Sequence, residues 1–349
     1  MSELKDKVLE VLKTDKDIDA FDERGYTLLH QAAYKGDVET VQLLLNKGAE
    51  YKKGCNGETP LMRCAYGSGS VEIARLLTRG REDWLYDTDL NGTTPLIVAA
   101  GYGKIDLVKY FVQKGMPVDL TDADGDTALG LAVDSAEHDV VKYLLEKGAN
   151  VDVLSRWGSC LFARPIMDRD MKMVDILLDG GVSPNGPRVC SRLVCPPLIT
   201  AVCSGAFEIA NRLVKAGADV NAVDPNDGTS VLFETIKISQ SANESDKQKA
   251  YSFMNTLIYK GADVSVIEQF QYELLDAFVR NKKIAYGFMK ALMQSGSDAL
   301  IPDFKSELYF KSELFNICQA HRLKEQTPKQ VAKNKSVSPV QNVNVQTKE

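Results

Sequence analysis

The chain has 349 residues, of which 44% are hydrophobic and 26% charged, and its formal net charge at pH 7 is −6. No run of 18 apolar residues could span a membrane, and an acidic balance argues against a nucleic-acid partner for most of the chain. We therefore expect a soluble protein, cytoplasmic or nuclear, without membrane insertion.

Residues 1–20 lack the architecture of a signal peptide. Their apolar residues follow a helical spacing, and they are Leu4, Val8, Leu9, Val11 and Leu12. This spacing predicts one helix, which we interpret as an N-terminal cap or partial repeat in front of the units described next.

Residues 22–50 read DERGYTLLHQAAYKGDVETVQLLLNKGAE. The pattern predicts a turn at Gly25, a helix over about 27–34, a break at Gly36, and a second helix over about 39–46 that stops at Gly48. Two helices of this length bury little apolar surface between themselves, so the unit should not fold alone.

The same stop signal, a glycine after an apolar helix, recurs along the chain at Gly48, Gly80, Gly115, Gly148, Gly181, Gly217, Gly261 and Gly296. Its spacing lies between 32 and 36 residues, with one interval of 44. All 24 residues at seven, four and three positions before these glycines are apolar. These offsets share one helix face, and a period of this length indicates a repeat solenoid.

The first helices carry the motifs GYTLLHQAA, GETPLMRCA, GTTPLIVAA and GDTALGLAV, from Gly25, Gly57, Gly92 and Gly125. These units resemble ankyrin repeats, whose signature is a turn followed by T-P-L-H-x-A and a second helix. The resemblance implies an all-α ankyrin-repeat solenoid of about eight helix-turn-helix repeats with terminal caps, and an array over residues 21–300. It also implies a monomeric, non-enzymatic scaffold or adaptor that binds a partner protein through its finger tips and concave groove.

Later units depart from the pattern. The fifth has Pro165 where a small helix residue is expected, and the 44-residue interval contains the polar stretch from Lys237 to Phe253. This stretch is either an exposed loop or an extension of the two helices beside it.

Aromatic residues at unusual places are the candidate protein-binding residues. Trp157 occupies a finger tip where other repeats have Arg, Asn or Asp, and tryptophan is enriched in interface hot spots. Trp84 lies in a longer connection, where it either contacts a partner or packs beneath a finger. Near the break after three successive first helices lie Tyr34, Tyr66 and Tyr102, with Arg63 one turn before Tyr66.

Two residues are singled out by the resemblance alone. His30 occupies the histidine position of T-P-L-H, where the family uses it to hydrogen-bond the turn. Asn221 lies eight residues after Leu213, as in ankyrin repeats that are hydroxylated on this asparagine, although a plain turn residue is the preferred interpretation.

The region 301–335 is expected to form a helical cap, a degenerate last repeat, and 336–349 a disordered tail. The stretch around Leu314 and Cys318 partly resembles an elongin-binding box, which leaves a ubiquitin-ligase substrate receptor as an alternative function. The locally basic end after His321 leaves nucleic-acid binding as a weaker one.

No chemistry-bearing constellation is evident. Seven cysteines are scattered without a C-x-x-C pair, and three histidines are far apart in sequence. We therefore expect no catalytic residues, no cofactor and no metal site.

Overall fold

The computed structural model describes residues 3–14, 17–154, 158–187, 194–241 and 243–265. Trp157, the expected cap at 301–335, Leu314, Cys318 and the tail 336–349 lie outside the described residues. In the described part the regular structure is helical, and bridges of β type occur only in isolation, at three turns. The predicted all-α fold is confirmed.

The helices follow the predicted alternation of a first and a second helix in each repeat. They are α1 (Glu3–Lys13), α2 (Leu28–Lys35), α3 (Val38–Asn46), α4 (Pro60–Tyr66), α5 (Val71–Thr78), α6 (Pro95–Gly101), α7 (Ile105–Gln113), α8 (Ala128–Asp134), α9 (His138–Glu146), α10 (Ala163–Met167), α11 (Met171–Asp179), α12 (Pro197–Cys203), α13 (Phe207–Lys215), α14 (Val231–Ser241) and α15 (Glu244–Tyr259). Short 3₁₀ helices span Cys55–Gly57 and Glu82–Tyr86. No helix in the described ranges is long and apolar enough to cross a lipid bilayer.

The chain divides into two compact units, Met1–Glu234 and Thr235–Glu349. In the first unit the first helices pack on one another in the order α2, α4, α6, α8, α10 and α12, and α1, α3, α5, α7, α9 and α11 form a parallel row of second helices. Each first helix also packs on the second helix of its own repeat. Neighbouring repeats thereby cover the apolar faces that a single repeat cannot bury.

The second helices bury most of the stripe that the sequence predicts, although Leu45, Leu76, Val112, Leu145 and Leu178, three or four positions before their stop glycines, are only half-buried. In all seven repeats with a described second helix, the residue seven positions before the stop glycine is buried, namely Val41, Ile73, Val108, Val141, Val174, Ala210 and Met254. The predicted repeat register is therefore confirmed over these seven units.

The turns before the first helices, which we call fingers, are built in a repeated way. The side chains of Asp22, Asp89 and Asp122 each accept hydrogen bonds from the backbone N–H groups two and four residues later, at 2.9–3.1 Å. Successive fingers are joined by backbone hydrogen bonds of 2.8–2.9 Å, as from Cys55 N–H to the Gly25 carbonyl. The local aspartate bonds explain why a turn can recur without a sheet behind it.

Pro165 changes the start of the fifth repeat's first helix. Measured from the turn glycine, α10 begins two residues later than α2, α4, α6 and α8 do. Pro165 therefore lies in the first helical turn, where a backbone N–H has no intrahelical acceptor and its absence costs little. The predicted departure is real, and a shortened helix accommodates it.

The polar stretch in the long interval is an extension of two helices, not a loop. α14 continues to Ser241, and α15 begins after Asn243, whose side chain accepts a hydrogen bond of 3.0 Å from the Asp246 N–H. The buried stripe of α15 begins only at Ala250, while residues 243–249 are exposed or half-exposed.

Candidate functional site

Tyr34, Tyr66 and Tyr102, which we call the tyrosine row, lie at the ends of successive first helices. Tyr34 and Tyr66 are in register, whereas Tyr102 follows one position later and Gly101 takes the equivalent place in α6. The rings of Tyr66 and Tyr102 nevertheless meet edge to face, with centroids 5.1 Å apart. Tyr34 and Tyr102 are 44% and 54% exposed, so two rings of the row are presented to solvent.

Arg63 lies among the aromatic rings of two repeats. Its guanidinium carbon is 4.3 Å from the ring centroid of Tyr26, 4.5 Å from that of Tyr34 and 5.9 Å from that of Tyr66. All three distances fall within the range of cation-π attraction. Arg63 thus contacts two candidate residues of the tyrosine row, and Tyr26 joins them.

Glu58 holds the arginine from the other side. Its Oε2 accepts hydrogen bonds from Arg63 Nη1 at 3.3 Å and from the Tyr26 hydroxyl at 3.1 Å. Burial, followed by this contact with Glu58, raises the pKa of Tyr26 above its ordinary value, so the hydroxyl remains a donor. Within the described chain, Arg63 Nε is buried without a hydrogen-bond partner.

A pocket of about 400 Å³ opens beside this cluster. It is lined by Asp22, Arg24, Tyr26, Gln31, Tyr34, Lys35 and Arg63, and we call it the Arg63 pocket. Gln31 donates a hydrogen bond of 2.8 Å to Asp22 Oδ2, which ties α2 to the preceding finger. The pocket combines polar groups, cations and an exposed aromatic ring, a mixture suited to binding a side chain.

His30 fixes the finger beneath the pocket, as the resemblance implies. The Thr27 N–H donates to Nδ1 at 3.2 Å, so Nδ1 carries the lone pair and Nε2 donates to the Glu58 carbonyl at 3.1 Å. Burial, and secondarily the charge of Arg63, lowers the pKa of His30 to about 4. His30 is therefore a neutral structural link between two fingers.

Two glycines allow the first two repeats to approach closely at the site. A Cβ on Gly54 would lie 2.9 Å from the Gly25 carbonyl oxygen and 3.1 Å from His30 Nε2. A Cβ on Gly67 would lie 2.2 Å from the Tyr34 carbonyl oxygen. The ends of α2 and α4 can therefore bring Tyr34 and Tyr66 to the same arginine only with glycine at these positions.

Replacing Gly67 with alanine is expected to lower the free energy of unfolding by about 1–3 kcal/mol, because the backbone of Tyr34 must shift away from the new Cβ. Urea denaturation would measure the loss. The matched control is Gly101→Ala, which meets Leu131 Cβ at an ordinary 3.4 Å and should be neutral or mildly stabilising at the end of α6. Equal losses in both variants would contradict the close-approach explanation.

The other predicted site residues lie apart from this cluster. Trp84 is half-buried and stacks on Tyr51 with centroids 3.8 Å apart and planes at 13°, while Arg81 covers it at 4.7 Å. Asn221 is an exposed turn residue whose N–H donates to Asp219 Oδ1 at 2.9 Å. This geometry agrees with the preferred interpretation of a plain turn residue, and its hydroxylation stays an untested alternative. Binding by Trp157, which lies outside the described residues, stays a prediction.

Sequence reasoning missed Tyr26 and Glu58. Each directly follows the turn glycine of its repeat, Gly25 or Gly57, so both side chains start from equivalent positions in neighbouring fingers. A comparison of that single position across the repeats would have found the pair.

One carboxylate cluster could hold a cation by distance alone. Oxygens of Asp122, Asp124 and Asp126 lie within 4.8 Å of one another. However, Asp122 Oδ1 already accepts two backbone N–H groups of its own finger. The position of these three aspartates is therefore explained by the turn that they form.

Comparison of the sequence with known proteins identifies related chains. A family model described as ankyrin repeats in three copies matches residues 2–85 and 69–155, and a single ankyrin repeat model matches residues 195–225. An ankyrin repeat protein of Variola virus is 33% identical over 111 residues, which are 29% of this chain and 20% of the viral protein.

Two further relatives show similar partial coverage. The mouse protein fem-1 homolog A-like is 34% identical over 99 residues, 28% of this chain and 15% of the relative. The target of rapamycin complex 2 subunit AVO2 of Saccharomyces cerevisiae is 32% identical over 94 residues, 26% of this chain and 22% of the relative. The chain thus spans about a fifth of the length of these relatives.

Proposed function

This chain belongs to the ankyrin repeat family, whose repeats are protein-interaction modules, and we propose on that premise that it is a non-enzymatic adaptor. Its proposed partner is a protein, held against the tyrosine row and the Arg63 pocket on the first three repeats. One observation carries the proposal. Arg63 is held in place by a hydrogen bond to Glu58 and by contacts with three tyrosine rings, at the edge of an open pocket.

Rigidity is the reason that this surface favours binding. Tyrosine provides a large contact area with few rotatable bonds, and Tyr34 and Tyr102 keep about half of their surface exposed. Arg63 and Glu58 hold the neighbouring rings in place before a partner arrives, so less conformational entropy is lost on association. The name of the yeast relative, a subunit of a complex, supports a role within an assembly.

The double replacement Tyr34→Ala/Tyr102→Ala is expected to weaken partner binding by about 2 kcal/mol or more, roughly thirtyfold in Kd, because exposed tyrosine anchors contribute most at interfaces. Stability should change by less than about 1 kcal/mol, since both rings are partly solvated. The measurement is capture and identification of partners with the immobilised wild-type chain, followed by titration of the purified partner against each variant.

Tyr86→Ala is the matched control. Tyr86 is 49% exposed, but it belongs to the 3₁₀ helix Glu82–Tyr86, which packs on the second helix α5. The control should bind as wild type does. A partner that binds the double variant with unchanged affinity would refute the tyrosine row as the binding surface and would direct attention to Trp84 and Trp157.

Cytoplasmic or nuclear residence remains part of the proposal and rests on the sequence. The ligase-receptor alternative depends on Leu314 and Cys318, outside the described residues. Loss of elongin co-purification on Leu314→Ala would favour that alternative.

A further inference from the structure

The Arg63 pocket has an excess of positive charge. Its lining contains three cationic side chains, Arg24, Lys35 and Arg63, against the single carboxylate of Asp22. The sequence as a whole carries a net charge of −6, so the charge of the Arg63 pocket is opposite in sign to that of the chain. A local reversal of charge at an open pocket favours an anionic ligand group.

The carboxylates near the pocket are committed to internal contacts. Asp22 Oδ1 accepts the N–H groups of Arg24 and Tyr26 at 2.9 Å, and its Oδ2 accepts from Gln31 at 2.8 Å. Glu58 is shared between the Tyr26 hydroxyl and Arg63. These two acids therefore act chiefly as acceptors for the finger and for the arginine.

The cationic side chains of the pocket have fewer internal hydrogen-bond partners than these two acids. Across the described ranges, Arg24 and Lys35 form no ion pair and both side chains are exposed. Among the described residues, Arg63 donates one hydrogen bond, at 3.3 Å to Glu58, although its guanidinium has five N–H donors. The pocket thus presents two exposed cations without an ion pair in these ranges, Arg24 and Lys35, beside the partly buried guanidinium of Arg63.

We propose that the Arg63 pocket receives an aspartate or glutamate side chain from an acidic peptide segment of the partner. This inference rests on the proposed function and names the chemistry of the partner. The carboxylate lies between Arg24, Lys35 and Arg63, and the flanking peptide residues contact Tyr34 and continue along the tyrosine row. A free small anion would contact only the pocket, and it would not contact the exposed rings of the tyrosine row.

A phage-displayed library of random peptides is the probe that tests this. Selection on the wild-type chain should enrich peptides with Asp or Glu at one fixed position. Synthetic versions of the enriched peptides, measured by fluorescence anisotropy, should lose more than tenfold in affinity for the double variant Arg24→Glu/Lys35→Glu. Replacing the selected acid by lysine should restore binding to that variant.

Lys109→Glu/Lys142→Glu is the matched control, because it makes the same change in net charge at exposed positions of α7 and α9. It should retain the wild-type affinity.

Peptides that bind without an acidic residue, keep their affinity for Arg24→Glu/Lys35→Glu and lose it on Tyr34→Ala/Tyr102→Ala would overturn the acidic-peptide inference alone. Full displacement by inorganic phosphate at a concentration equal to that of the peptide would overturn it too, since the pocket would then be a free-anion site. Enriched peptides that bind every variant equally would overturn both this inference and the proposed function.

Discussion

Leu144→Ala is expected to lower the free energy of unfolding by about 2–5 kcal/mol, among the largest effects of any single change in the array. The side chain is fully buried on α9, which packs on α7 and on α11. Truncation removes apolar contacts and leaves a cavity between neighbouring repeats. In a repeat array each interface couples only adjacent units, so this loss should also reduce cooperativity and broaden the urea transition.

Leu145→Ala is the matched control for this prediction. It removes the same atoms from the adjacent residue of the same helix, but Leu145 is only half-buried. Its loss should be clearly smaller, because less apolar surface was removed from water on folding. Losses of equal size at both positions, or none at Leu144, would contradict the difference in burial between these two leucines.

Acid is expected to destabilise the first two repeats through His30. The pKa of His30 in the folded chain is lowered to about 4, mainly by burial, against an ordinary value of 6.5. The unfolded chain therefore binds the extra proton first, and the stabilising contribution is present above pH 6.5 and is lost as pH falls towards 4. Between pH 7 and 5 the free energy of unfolding should drop by about 2 kcal/mol from this residue alone.

The measurement is the pH dependence of urea unfolding for wild type and for His30→Gln, which cannot titrate. The wild-type curve should fall more steeply than the variant curve over this range, whatever the absolute stability of the variant. Parallel curves for wild type and His30→Gln would refute the assignment of this pH dependence to His30.

The repeat architecture could be predicted because its causes are local in sequence. A threonine at the start of a first helix, as at Thr59, Thr94 and Thr127, accepts the N–H three residues later at 3.0–3.3 Å. Such caps, the turn glycines and the apolar stripe act over a few residues each, and they repeat. The sequence did not decide whether the polar stretch after Lys237 is helix or loop, because exposed helices and exposed loops have similar composition.

By itself the sequence determined the all-α repeat, the register of the buried stripe, the role of His30 and the candidate tyrosines with Arg63. Only the tertiary structure decided that Tyr26 and Glu58 join the cluster around Arg63, that Trp84 stacks on Tyr51, and that Tyr102 contacts Tyr66 from a shifted position. These contacts join side chains 32 or more residues apart, or depend on how closely two backbones approach, as at Gly54 and Gly67. Periodicity fixes which face a residue occupies, but distances between repeats are set by packing, which no local pattern encodes.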